Sequence, residues 1–133
     1  MAITRWSPDT CGCVIDYTWD PDVPDGARTH SFHAVERICA GHDGLSDPPL
    51  FDTVLAENQT KNRLHGWAVA NLARLRHPLE DRLSDGVEFR WSFTGTGAGR
   101  RLEVWLDGAT LTAGEKGLMR AFAATLNTPA TVR

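Results

Sequence analysis

Residues 11–19 read Cys-Gly-Cys-Val-Ile-Asp-Tyr-Thr-Trp, so two cysteines lead directly into an alternating pattern. Ile15, Tyr17 and Trp19 fall on one side of an extended chain, and the polar residues between them fall on the other. Such alternation is typical of a strand with one buried face. We therefore predict a strand over residues 13–19 that begins at the second cysteine.

A second strand is predicted over residues 29–38, where apolar and polar side chains also alternate. Residues 20–26 between the two strands are rich in proline, aspartate and glycine, a composition typical of a loop. The two strands therefore predict an antiparallel hairpin. Because a hairpin places the start of its first strand beside the end of its second, it brings Cys13 close to Cys39.

The three cysteines and one histidine have the spacing of metal ligands. Cys11 and Cys13 form a Cys-x-Cys pair, and Cys39 and His42 form a Cys-x2-His pair. Zinc binds four such thiolate and imidazole groups at tetrahedral corners. A glycine stands inside each pair, where we expect a tight turn without room for a Cβ atom. These residues predict a structural zinc site, since a filled Cys3His set leaves no position for a catalytic water.

Other uses of these residues remain open at the level of sequence. Cys13 and Cys39 are placed for a cross-strand disulfide in an oxidising setting, which leaves Cys11 unpaired. Alternatively, all three cysteines stay unliganded. His30 and His33 are rival ligands, but they alternate faces near the hairpin loop and are more typical of surface or packing histidines.

One long helix is predicted over residues 48–75. Asp47 followed by two prolines is typical of a helix start, and apolar residues then recur at helical spacing. A break near Gly66 is the alternative. The middle of the segment is polar, and Asn58 and Asn62 on it form either a binding strip or, as we favour, an exposed helix face.

The remaining chain predicts a second hairpin followed by a second helix. Residues 87–93 alternate strictly, and a glycine-rich loop over residues 94–99 leads to a returning strand. That loop lacks the lysine and the following helix of a phosphate-binding loop. Thr112 and Glu115 match a capping box at a helix start. Residues 131–132 could add a short final strand.

Together these elements predict an α+β fold in the order β-β-α-β-β-α, with a further β-strand at the end. We expect a two-layer sandwich with the helices on one sheet. The length of 133 residues favours a single domain. It would contain a zinc-stapled hairpin over residues 1–46, the helix over residues 47–80 and a ββα(β) unit over residues 86–133.

Charge and hydropathy exclude some classes of function. The net charge of −3 argues against a dedicated nucleic-acid binder. The local basic clusters lie among acidic residues, as a solvated surface does; they are Arg74, Arg76 and His77, and Arg100 and Arg101. No apolar run is long enough to span a bilayer, and no signal peptide is recognisable. We therefore expect no membrane association and synthesis in a cytoplasm, where thiols stay reduced.

Signals for function are otherwise few. No nucleophile elbow, zinc-protease motif or pair of catalytic carboxylates stands out. The chain has five tryptophans, which favours a protein interface, since tryptophan is enriched there. Trp105 on an outward strand face and Trp6 near the N-terminus are the candidates. Packing beneath loops and helices is an equally good interpretation of both.

Three stretches carry a resemblance. Residues 5–17, 56–62 and 91–98 read RWSPDTCGCVIDY, AENQTKN and WSFTGTGA. In these phrases the chain resembles small uncharacterised proteins of tailed bacteriophages and prophages, in patches that cover most of its length. The resemblance implies no activity. It implies a phage origin, synthesis in the host cytoplasm and a place in the virion.

We therefore expect a non-enzymatic structural or interaction protein stabilised by zinc. Its partners would be other virion proteins of the capsid, connector or tail, contacted in multiple copies. The alternative is an intracellular zinc-dependent binding protein that acts on nucleic acid or a host factor. An enzyme is the third hypothesis, and it requires an exposed thiolate beside a base.

Overall fold

The computed structural model describes residues 2–19, 31–45, 49–96, 100–126, 128 and 130–133. These ranges form six strands and two α-helices, so the predicted α+β class is confirmed. The order β-β-α-β-β-α-β is also confirmed, with one further strand ahead of it. The loop predicted over residues 20–26 lies outside the described residues.

The first sheet contains three antiparallel strands in chain order, β1 (Ala2–Trp6), β2 (Val14–Trp19) and β3 (Ser31–Arg37). Strands β2 and β3 form the predicted hairpin, with Val14 opposite Arg37. Strand β1 was not expected, because its five residues lack a clean alternation of apolar and polar side chains. It pairs with β2 along its whole length and places Trp6 opposite Ile15.

Helix α1 (Pro49–Asn71) continues without interruption through Gly66, so the alternative of a broken helix is wrong. It ends before the predicted residue 75, because the chain tightens into a 3-10 turn over Ala73–Leu75. The 23 residues of α1 span about 34 Å. In the described part of the chain, no helix combines the length and apolarity needed to cross a membrane.

The second sheet contains β4 (Glu88–Thr94), β5 (Arg101–Asp107) and β6 (Ala130–Val132), and α2 (Ala113–Ala123) connects β5 to β6. Strands β4 and β5 are antiparallel, whereas β6 is parallel to β5. The capping box predicted for Thr112 and Glu115 is present at the start of α2. The strands thus form two three-stranded sheets rather than the single sheet that we expected.

Two hydrophobic clusters lie along α1 and explain why there are two sheets. The metal-side core joins the first sheet to the beginning of α1; its buried members are Cys13, Ile15, Leu50, Phe51 and Val54. The large core joins the second half of α1 to the second sheet and α2; its buried members are Leu64, Ala68, Val69, Leu72, Leu75, Leu83, Phe89, Leu102, Val104, Leu106, Leu111, Met119, Ala123 and Val132. Each sheet therefore packs on its own section of one helix.

Candidate metal centre

The four predicted ligands lie in two turns at one end of the first sheet. Cys11 and Cys13 lie in the bend that precedes β2. Cys39 follows β3 and leads into the short 3-10 turn that contains His42. Because the first residue of β2 pairs with the last residue of β3, the hairpin brings these two turns together.

The distances within this group bring four ligand atoms around one point. The four side chains each offer one ligand atom, and these atoms lie within 4.8 Å of one another. Nδ1 of His42 is 3.0 Å from Sγ of Cys39 and 3.5 Å from Sγ of Cys13. Tetrahedral zinc, with bonds of about 2.0–2.3 Å, separates neighbouring ligand atoms by about 3.5–3.8 Å. Cys11, Cys13, Cys39 and His42 are therefore close enough to hold a metal ion.

The thiols have different proton affinities. Burial raises the pKa of Cys11 to about 12 and also raises the pKa of Cys13. Burial acts in the same direction on Cys39, but hydrogen bonds with His42, with Cys13 and with the backbone outweigh it and lower its pKa to about 6. A divalent cation stabilises a coordinating thiolate outright. It would therefore bring all three sulfur atoms to the charged state together.

The glycines between the ligands have different roles from those we expected. A Cβ atom on Gly12 would lie 3.5 Å from Cβ of Cys39, an ordinary contact, so no crowding requires glycine there. A Cβ atom on Gly41 would lie 2.9 Å from Cζ of Arg100, which is too close. Gly41 therefore leaves room for an arginine from the second half of the chain, not for the metal ligands.

Glu57 is a buried partner of the site that the sequence analysis missed. Nε2 of His42 lies 2.8 Å from Oε2 of Glu57, and this contact is the main reason why the pKa of His42 is raised. His42 thus faces the thiols through Nδ1 and the carboxylate through Nε2. The signal was present in the spacing of Val54, Glu57, Lys61 and Leu64, since residues three and four apart share one face of a helix.

Lys61 also lies on this buried face, one turn beyond Glu57. Its ammonium group is 2.9 Å from a carboxylate oxygen of Asp9 and 4.6 Å from the ring centroid of Trp91. Lys61 therefore contacts residues from both halves of the chain. Asn58 is half-buried and Asn62 is exposed, which fits the exposed helix face that we favoured for these two.

The basic clusters do not form one open cationic surface. Arg100 is buried at 9% exposure, contrary to the expectation of a solvated side chain, and its Nε donates to Oε1 of Glu57 at 2.8 Å. Arg74 and Arg76 each pair with a carboxylate. Arg101 is exposed, as Arg74 and Arg76 are.

Both candidate interface tryptophans have partners within the chain. Trp6 packs edge-on against Phe51, with ring centroids 6.1 Å apart, at the border of the metal-side core. The guanidinium of Arg133 lies 4.0 Å from the ring centroid of Trp105, which is half-buried. Packing is therefore the better interpretation of Trp6, and Trp105 contacts Arg133 of its own chain. The side chain of Trp19 lies outside the described residues.

Two other features singled out in the sequence lie wholly or partly outside the described residues. His30 and the side chain of His33, the rival ligands, lie outside the described residues. The same holds for Gly97 and Gly99 of the glycine-rich loop. Gly95, which opens that loop, has φ of +84°, a left-handed conformation that favours glycine.

Comparisons with known proteins do not assign the chain. No model of a protein family matches it, and no curated protein and no solved structure matches it either. The resemblance to phage proteins therefore stays a prediction. The geometry of the metal centre is the observation from which a function is best argued.

Proposed function

We propose that the protein is a non-enzymatic structural module whose first sheet is held by one structural zinc ion. The observation that supports this proposal is the convergence of three thiols and one imidazole within 4.8 Å. A set of three thiolates and one imidazole favours zinc over the oxygen-seeking cations. The set fills all four positions of the ion, which is the arrangement of a site that stabilises rather than reacts.

The proposed cellular role is that of a virion component of a tailed phage, in contact with other virion proteins in multiple copies. This part of the proposal is supported by the resemblance in residues 5–17, 56–62 and 91–98. The tryptophans no longer support it. Among the described residues, Leu79 and Leu118, at 90% and 65% exposure, are instead the large apolar side chains most accessible to a partner.

Metal analysis of the purified protein tests the zinc ion. We expect one zinc per chain, and we expect the three thiols to resist a mild alkylating reagent until a chelator is added. The matched control is His42→Ala, which should bind zinc more weakly and expose all three thiols. Rapid alkylation of the zinc-loaded wild type would rule out the site.

Mass spectrometry of purified particles tests the virion role. The experiment requires a phage whose genome encodes this chain. We expect the protein in stoichiometric copies with the structural proteins. Its absence from particles, together with abundance in the infected cytoplasm, would contradict the virion role while leaving the zinc site untouched.

The nucleic-acid alternative rests on the zinc site and on the two basic clusters, and the clusters offer few unpaired cations. Arg100 is buried against Glu57, and Arg74 and Arg76 are paired with carboxylates. Binding to nucleic acid through phosphates requires exposed cations and weakens steeply with salt. We therefore expect no band shift at low salt, and a salt-sensitive shift would restore this alternative.

An enzyme remains worth testing because of one arrangement. Cys39, His42 and Glu57 stand in the order of nucleophile, base and orienting carboxylate, with 3.0 Å and 2.8 Å between successive partners. Against catalysis, His42 is fully buried, and two further thiols lie within 4.8 Å of the same ligand group. If the enzyme hypothesis held, Cys39 would react quickly with a mild alkylating reagent in the native protein, before any chelator is added.

A further inference from the structure

One side chain from the second half of the chain contacts every segment that carries a metal ligand. Arg100 donates from Nε to Glu57, which is bonded to His42. Its Nη2 donates to the backbone carbonyl of Thr10 at 3.4 Å, immediately before Cys11. Its guanidinium also lies against Gly41, between Cys39 and His42.

Arg100 also contacts the second sheet, from which its side chain extends. Cζ of Arg100 lies 4.8 Å from the ring centroid of Phe93 on β4. Arg100 also immediately precedes Arg101, the first residue of β5. The side chain therefore passes from the second sheet into the metal-binding turns of the first. A Cβ atom at Gly41 would occupy the space of the guanidinium, which shows how closely it packs there.

The positive charge of Arg100 compensates negative charge at the metal site. Three thiolates, a neutral imidazole and a divalent ion carry one net negative charge, and the buried carboxylate of Glu57 adds another. Two buried negative charges this close repel each other and are poorly solvated. Arg100, itself 9% exposed, supplies the compensating positive charge through a hydrogen bond that also fixes the orientation of Glu57.

We infer that Arg100 and Glu57 form a positioning clamp, contributed by the second sheet and α1, that holds His42 for metal binding through Nδ1. The carboxylate accepts a hydrogen bond from Nε2–H of His42 and so selects the tautomer with a free Nδ1 lone pair. This inference rests on the proposed zinc site. It extends that site beyond residues 1–46, and it makes zinc affinity depend on a residue 58 positions after the last ligand in the chain.

The test is zinc affinity, measured by competition with a chromophoric chelator at neutral pH. Arg100→Met and Glu57→Gln should each weaken binding about 10- to 100-fold, the usual effect of losing an outer partner of a ligand histidine. Arg100→Lys should fall between wild type and Arg100→Met, because it keeps the charge but not the planar fork. Gly41→Ala should weaken binding as well, by displacing the guanidinium.

The matched control is Lys61→Met. It removes a buried cation from α1, one turn from Glu57, and the partners of Lys61 are Asp9 and Trp91, neither of which is a metal ligand. Its zinc affinity should equal that of the wild type. Circular dichroism of each zinc-loaded variant establishes that it is folded before its affinity is compared.

A second measurement separates positioning from general destabilisation. The double variant Glu57→Gln/Arg100→Met should lose no more affinity than the weaker-binding single variant, because both residues act through His42. The absorption bands of the cobalt-substituted protein should shift in Glu57→Gln and Arg100→Met but not in Lys61→Met. Unchanged bands in all three variants would argue against the clamp.

The outcomes distinguish the two proposals. If the wild type binds no zinc, both the zinc site and the clamp are wrong. If the wild type binds zinc, but Arg100→Met and Glu57→Gln bind it as tightly as Lys61→Met does, the clamp alone is wrong. Weakened binding confined to the clamp variants supports both.

Discussion

The metal-side core has five buried hydrophobic residues in the described part of the chain, whereas the large core has fourteen. Both support a sheet of three strands. A small apolar core seldom holds a sheet in place alone, and small domains often add a metal or a disulfide. With the proposed zinc site, this difference predicts that the first sheet depends on metal coordination for stability, while the second depends on packing.

Buried polar side chains, rather than apolar ones, lie at the boundary between the two regions. The side chains between them on α1 are Glu57, Thr60 and Lys61, all buried and polar, and Arg100 meets them from the second sheet. Buried charges are costly unless they are paired, and here each has a partner. Polar contacts thus join the region around the four candidate ligands to the region held by the large core.

The largest expected effect is the loss of the metal. With zinc removed by a chelator, or in Cys13→Ser, we expect β1–β3 to lose their protection against amide exchange while β4 and β5 keep theirs. The loss should be about 5 kcal/mol or more, because structural zinc contributes about 10 kcal/mol in isolated zinc-finger peptides. Hydrogen exchange with mass spectrometry, followed by re-addition of zinc, measures it. Equal loss of protection in both sheets would break the comparison.

The cost of a core substitution in free energy of unfolding should depend on zinc in the metal-side core but not in the large core. Leu102→Ala and Ile15→Ala each remove a fully buried side chain and should cost about 2–5 kcal/mol in the zinc-bound protein. After chelation, the cost of Leu102→Ala should persist, whereas that of Ile15→Ala should nearly vanish, because the first sheet is then already unfolded. Urea titrations with and without chelator give the four values. A persistent cost for Ile15→Ala would show that the metal-side core folds alone.

Two helical glycines offer a smaller, stabilising test. An added Cβ at Gly66 of α1 or Gly117 of α2 meets nothing within 4 Å, and both positions are exposed. Replacement by alanine should therefore stabilise by about 0.5–1 kcal/mol. Because α1 serves both cores and α2 only the large one, Gly66→Ala should raise the protection of both sheets and Gly117→Ala that of the second. Hydrogen exchange distinguishes these patterns.

The smallest effect belongs to an ion pair within the second region. Arg74 lies 2.5 Å from Glu115, and this contact lowers the pKa of the Glu115 carboxyl from 4.5 to about 2. Its ionised form thus contributes stability that is present above about pH 4.5 and lost as pH falls through about 2. Glu115→Gln should cost about 0.5 kcal/mol at pH 7, since the pair faces solvent. The difference from wild type should close towards pH 2, and one that stays constant would contradict this account.

Local patterns were sufficient to predict much of this protein. The ligand spacing, the β2–β3 hairpin, the strict alternation in β4 and the Thr112 capping box each depend on neighbours in the chain. Strand β1 was missed because its pattern is weak and its place is determined by pairing with β2. The division into two sheets was missed because it depends on which section of α1 each hairpin contacts.

The clamp residues were missed for a different reason. Glu57 and Arg100 are charged, and charged residues are rarely buried without a partner. Their burial depends on each other, and they are 43 positions apart in the chain. The helical positions of Glu57 and Lys61 are consistent with the buried face of α1. Their charge nevertheless favoured an exposed position, because the partners that allow their burial, Arg100 and Asp9, cannot be recognised from local sequence.

The continuity of α1 limits how this chain can change in length. Each residue added to a helix rotates everything after it by about 100°. One residue inserted at the exposed position of Arg63 would turn Leu64 and Ala68 away from the second sheet while leaving Glu57 beside His42. Seven inserted residues would nearly restore the phase but lengthen the helix by about 10 Å. We therefore expect relatives of this chain to place insertions and deletions in the exposed segment over residues 78–81, and none between the two cores.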